Sequence, residues 1–157
     1  MRRADKYPET DTFMFVNANP HKRFTTDCVI RALSTGLGMG YNDVVMELAE
    51  LQCKTGFDPS ENTAMNRYLT SKGWVKMKQP RKDDNTKYTG EEFCRWLSVN
   101  YPNGEYGNVV CNIGGHHTAA IVPTRHGDGI NCRYKVVDTW NSTRGCIGTC
   151  WVKKGVA

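Results

Sequence analysis

Apolar positions change their period once along this chain. From Asp27 to about residue 100 they recur every three or four residues, and after Pro102 they come in short β-rich runs. Val29, Ile30, Leu33 and Leu37 lie at helical spacing behind Thr26 and Asp27, either of which can cap a helix. The glycines at 36, 38 and 40 then end it. A second helix is predicted from Asn42, as cap, through Val44, Val45, Leu48, Ala49 and Leu51 to Gly56. A third follows Ser60, stops at Gly73 and buries Met65, Tyr68 and Leu69. Thr89-x-x-Glu92 has the form of a capping box, and it opens a fourth helix whose apolar stripe is Phe93, Trp96 and Leu97.

Four β-rich runs follow, at residues 108–113, 117–122, 132–138 and 146–152, separated by turn residues. Residues 123–131, "PTRHGDGIN", read as a hairpin loop that contains His126. Helices first and an antiparallel meander after them predict one α+β domain over residues 1–157, with its helices packed on one side of the sheet. Residues 12–16 alternate weakly, as a short edge strand would, at the end of a flexible arm spanning residues 1–16. "NANPHKRF" reads as a loop, because Asn-Pro disfavours helix. The basic run Trp74–Asp84, with Lys76, Lys78, Arg81 and Lys82, reads as a solvated loop.

Composition narrows the classes. With 157 residues, 39% of them hydrophobic and 24% charged, the chain can bury a core and is not of disordered composition. No apolar run approaches the roughly 20 residues of a membrane span, and "MRRADKYPETD" has no apolar segment behind its arginines. A cytoplasmic location is therefore expected. A net charge of +5 is too mild to require nucleic acid as a partner. Seven cysteines, an odd number at irregular spacing, read as reduced thiols. Cys111, Cys132, Cys146 and Cys150 lack the paired knuckles of structural zinc, so no metal or cofactor is expected.

The candidate chemistry lies in three short segments. Cys28 stands where the first long helix begins, and that end carries unpaired N–H groups and partial positive charge that favour a thiolate. His116 and His117 enter a predicted strand, and Asp138 ends the next one, with Asn141 just beyond. Antiparallel pairing of those strands sets the start of the first beside the end of the second. An imidazole there can activate the thiol, and a carboxylate or amide behind it can fix the ring. Successive side chains alternate between faces, so only one histidine can serve; His117 shares its face with Ala119 and Ile121. The backbone N–H of Cys28 is the first candidate oxyanion donor, and Asn17, Asn19 and His21 are candidates for a second.

"DCVIRAL", "GHHTAAI" and "YKVVDTW", in that order, resemble the cysteine, histidine and aspartate segments of papain-like cysteine peptidases. The resemblance is nearest to the compact peptidase domains of bacteriocin-processing transporters and to small phage-encoded proteins of that layout, and it spans roughly Asn17 to Asn141. It implies a papain-like fold and a thiol hydrolase acting on a protein or peptide, a host protein if the chain is phage-encoded. The implied catalytic residues are Cys28, His117 or His116, and Asp138 or Asn141; Trp140 falls in the same segment, as pocket wall. Two departures stand out. The family's glutamine before the cysteine is absent, the first glutamine here being Gln52, and Asp27 sets a negative charge beside the thiol. Both features fit the alternative of a non-catalytic binding or inhibitor protein on the same fold; a thioester resolved by an amine instead of water would make the same site an acyl transferase.

Overall fold

The computed structural model describes residues 1–124 and 132–155. It is a mixed α+β structure in which five helices surround one six-stranded sheet. The four sequence-predicted helices appear as α2 (Cys28–Leu37), α3 (Tyr41–Thr55), α4 (Asn62–Ser71) and α5 (Gly90–Asn100). Thr89 forms the expected capping box with Glu92. Gly38 ends α2 in the left-handed conformation at φ 66°, where its N–H returns to the Ser34 carbonyl. The first turn of α2 differs from expectation: Asp27 occupies the cap position, but its side chain makes no capping bond.

The sheet runs β1-β5-β4-β3-β6-β2, from β1 (Phe13–Phe15), β2 (Trp74–Met77), β3 (Val109–Ile113), β4 (His117–Pro123), β5 (Tyr134–Asp138) and β6 (Ile147–Lys153). β3, β4 and β5 form the predicted antiparallel meander. β6 does not extend it beyond β5. It returns to the far side of β3, and β2 pairs with its outer edge. β2 occupies the start of the run read as a solvated loop; Trp74 is buried there against α2–α4, so packing outweighs the charge of its neighbours. Residues 1–16 are likewise built into the fold. β1 pairs in parallel with β5, and the buried Lys135 holds Glu9 and the Thr10 carbonyl. Residues 3–6 form a short helix, α1 (Arg3–Lys6). Most of the expected 123–131 loop, His126 included, lies outside the described residues.

Helices cover both faces of the sheet rather than one. Val110 and Trp151 pack with Val29, Leu33, Leu48, Met65 and Leu69 of α2–α4. Their strand neighbours Val109, Cys111, Ile121 and Val136 pack with Phe93 and Leu97 of α5. Strand alternation explains the division, since runs such as "VVC" are apolar at every position and so need cover on both sides. α2 lies along the middle of its face. A Cβ on Gly36 would come within 2.5 Å of Val110 Cγ2, so glycine lets the helix approach β3 closely. That approach fixes where the opposite end of α2, with Cys28, meets the sheet. Among the described residues no helix is long and apolar enough to cross a membrane.

Candidate active site

Sheet register brings the histidine to the carboxylate. Ala120 pairs with Val137, so Asp138 lies beside Ala119, and His117 is its diagonal neighbour on the same side. The His117 Nε2–H donates to Asp138 Oδ2 at 2.5 Å. That leaves Nδ1 for Cys28, whose sulfur faces the His117 ring and the Thr118 backbone N–H. Trp140 packs against the imidazole with ring centroids 5.0 Å apart, and the His117 side chain keeps only 17% exposure. The chain of contacts thus runs from Cys28 through His117 to Asp138, and the thiol end opens to solvent.

Asp138 is buried and saturated. Besides His117, it accepts from the Thr139 N–H at 2.7 Å, Ser142 Oγ at 2.9 Å and Arg31 Nη1 at 3.0 Å. Burial alone would push this carboxyl up, but His117, Arg31 and the Thr139 N–H hold it below the ordinary range. Burial would lower His117, and Asp138 and Cys28 outweigh that and raise it to about 9. Burial likewise works against a Cys28 thiolate. His117, the Thr118 N–H and the Arg31 charge overcome it, so the thiol lies below its usual value. Both shifts act in the direction of a thiolate–imidazolium pair beside a carboxylate.

Arg31 answers the question that Asp27 raises. One turn into α2, it donates from Nε to Asp27 Oδ1 at 2.8 Å and from Nη1 to Asp138. Tyr41 OH donates to Asp27 Oδ2 at 2.6 Å, and Asn19 Nδ2 to the same oxygen at 3.1 Å. The negative charge next to Cys28 is therefore compensated inside the fold. Burial and Asp27 push Tyr41 up to about 12, so the phenol remains a donor. Asp27 neither caps α2 nor faces the thiol as a free charge.

The remaining candidates divide clearly. Asn17 and Asn19 are buried, with amides donating to the Arg23 carbonyl and to Asp27 and Tyr41 respectively. They build the loop before α2, their amides are engaged there, and neither lines the clefts at Cys28. Asn141 accepts from Thr143 and lines a different cleft, so of the two it is Asp138 that meets His117. His116 is exposed and lines both clefts at Cys28, and among the described residues its side chain makes no hydrogen bond. Arg31 and Ser142 were not anticipated. The i,i+4 spacing of Asp27 and Arg31 was a readable signal for the first; nothing singled out Ser142 from its neighbours. Cys111, Cys132 and Cys150 are buried while Cys146 is exposed, and no cluster among the described residues could hold a metal ion. No side chain caps α2, so its first N–H groups, that of Cys28 among them, have no side-chain capping partner. No family model, curated protein or solved structure matches this chain.

Proposed function

We propose that the protein is a thiol hydrolase of papain-like layout that cleaves a peptide or isopeptide bond. The observation that carries this reading is the Cys28–His117–Asp138 chain at an open cleft, with the thiol lowered and the imidazole raised. Its order in the sequence, and its placement at a helix start, a strand start and a strand end, support the papain-like assignment.

In this reading the Cys28 thiolate attacks the scissile carbonyl, and the C–N bond breaks as His117 passes its Nδ1 proton to the leaving amine. The developing oxyanion lies toward the Cys28 N–H and the positive end of α2. Water, deprotonated by His117, then attacks the thioester, releasing the acid and restoring the thiol. Asp138 stays ionised throughout and keeps Nε2 protonated, which fixes the tautomer.

Peptide-resolved alkylation by iodoacetamide across pH tests the reading, with the exposed Cys53 and Cys146 as internal references. Cys28 should react at about pH 6 at least tenfold faster than either, and His117→Ala should remove the advantage. Reactivity that rises only near the ordinary thiol value of about 8.5 in both proteins would make this a binding module instead.

A further inference from the structure

Two clefts meet at Cys28, and their chemistry differs. One, of about 370 Å³, runs toward Glu61, Asn62 and Asn112. The other, of about 450 Å³, runs along His117 and Trp140 to Arg3 and Phe24. Among the described residues no carboxylate side chain lines this second cleft, and the guanidinium groups that line it are those of Arg31 and Arg3. Arg31 is spent on Asp27 and Asp138.

Arg3 is not spent in that way. Its Nε–H donates to the Thr139 carbonyl at 2.7 Å, between Asp138 and Trp140 in the chain. Its guanidinium carbon stands 4.9 Å from the centre of the Phe24 ring. These contacts fix the side chain while using one of five N–H donors, and Arg3 is in none of the ion pairs found among the described residues. A cation anchored at one nitrogen over an aromatic face leaves its terminal fork free for a carboxylate. Phe24 is itself 52% exposed beside Phe15, an apolar ring left uncovered next to that fork.

We infer that this half of the cleft binds an acidic segment of the substrate, with a carboxylate on the Arg3 fork and an apolar neighbour against Phe24 and Trp140. The inference rests on Cys28 being the nucleophile. It makes Arg3 a specificity residue supplied by the N-terminal segment, and it gives α1 a role that packing alone does not require, since none of its residues is buried.

The test uses two electrophiles that differ in one group, N-iodoacetyl-glutamic acid α-amide and N-iodoacetyl-glutamine α-amide. In each, the thiolate displaces iodide. Their rates at Cys28 are compared at about pH 6 in low salt, in wild type and in Arg3→Gln. The carboxylate probe should react about fivefold faster in wild type, the scale of one screened charge pair. That preference should fall toward unity in Arg3→Gln and in high salt, while the neutral probe keeps its rate and so reports an intact site. Arg3→Lys should keep part of it, as a point charge without the fork. Equal rates in wild type, or a preference that survives Arg3→Gln, would overturn the acidic specificity alone. A Cys28 no faster than Cys53 toward both probes would overturn it together with the hydrolase reading.

Discussion

Replacing Arg31 with methionine is the most informative single change. The side chain keeps much of its length and packing but loses the charge that bridges Asp27 and Asp138. Both carboxylates are nearly inaccessible, at 6% and 1% side-chain exposure, so water cannot take the place of the guanidinium. Asp27 would retain Tyr41 and Asn19; Asp138 would retain His117, Thr139 and Ser142. Breaking a buried pair by removing one partner costs about 3–5 kcal/mol, because the other charge stays behind uncompensated. For a chain of this length that corresponds to a fall in melting temperature of roughly 6–20 °C.

The pH dependence carries the sign. Asp27 and Asp138 are both lowered in the folded state, so their contribution is present above the unfolded carboxylate value of about 4 and lost as pH falls through the lower folded values. Arg31→Met raises those folded values, so the acid limb of the urea midpoint should move toward neutral pH. Adding Asp27→Asn should recover part of the loss, since it removes one stranded charge. The same variant should raise the Cys28 pKa, because Arg31 is one of the charges holding it down. A loss below about 1 kcal/mol, the scale of a surface pair, with an unmoved acid limb, would refute the claim that this network holds the site together.

Three further outcomes follow from the same geometry. Asp138→Asn keeps the side chain's shape but drops His117 from about 9 toward 6.5. Cys28 alkylation at about pH 6 should slow by about tenfold or more, one pKa unit being a factor of ten. In a Cys28→Ser background, the raised His117 contributes stability that is full below its unfolded value of about 6.5 and lost as pH rises through its folded value. Urea midpoints should decline over that interval, and His117→Gln should flatten the decline. Gly36→Ala should destabilise by about 1–3 kcal/mol through overpacking against Val110, and a Cys28 that is less reactive by alkylation would show α2 displaced along its length.

Local pattern made much of this legible. The helical stripes are long and their stops are glycines, so four helices could be read to within a few residues, and the His117–Asp138 meeting followed from hairpin register. What escaped was non-local. No periodicity distinguishes a β6 that returns beside β3 from one that continues past β5, because an antiparallel strand with two apolar faces suits either place. Residues 1–16 looked like an arm because only three of them, Phe13 to Phe15, pair in the sheet, and that pairing is parallel with a strand 123 positions later. Helices gathered ahead of the strands predict cover on one face, whereas β3 and β5 bury residues on both sides and so take helices on both.

Asp27 shows why the site itself was harder to read than the fold. In the sequence it is a negative charge beside a thiol, an argument against a nucleophile. Its effect depends on Arg31, Tyr41 and Asn19, which lie four, fourteen and eight positions away and converge only when α2, α3 and the preceding loop pack together. Once they converge, the sign of the argument changes. An isolated carboxylate would disfavour the Cys28 thiolate, but this one fixes an arginine whose other arm holds the carboxylate that orients His117. The charge that stands against a Cys28 thiolate in the sequence is, in the fold, a support of the His117–Asp138 geometry.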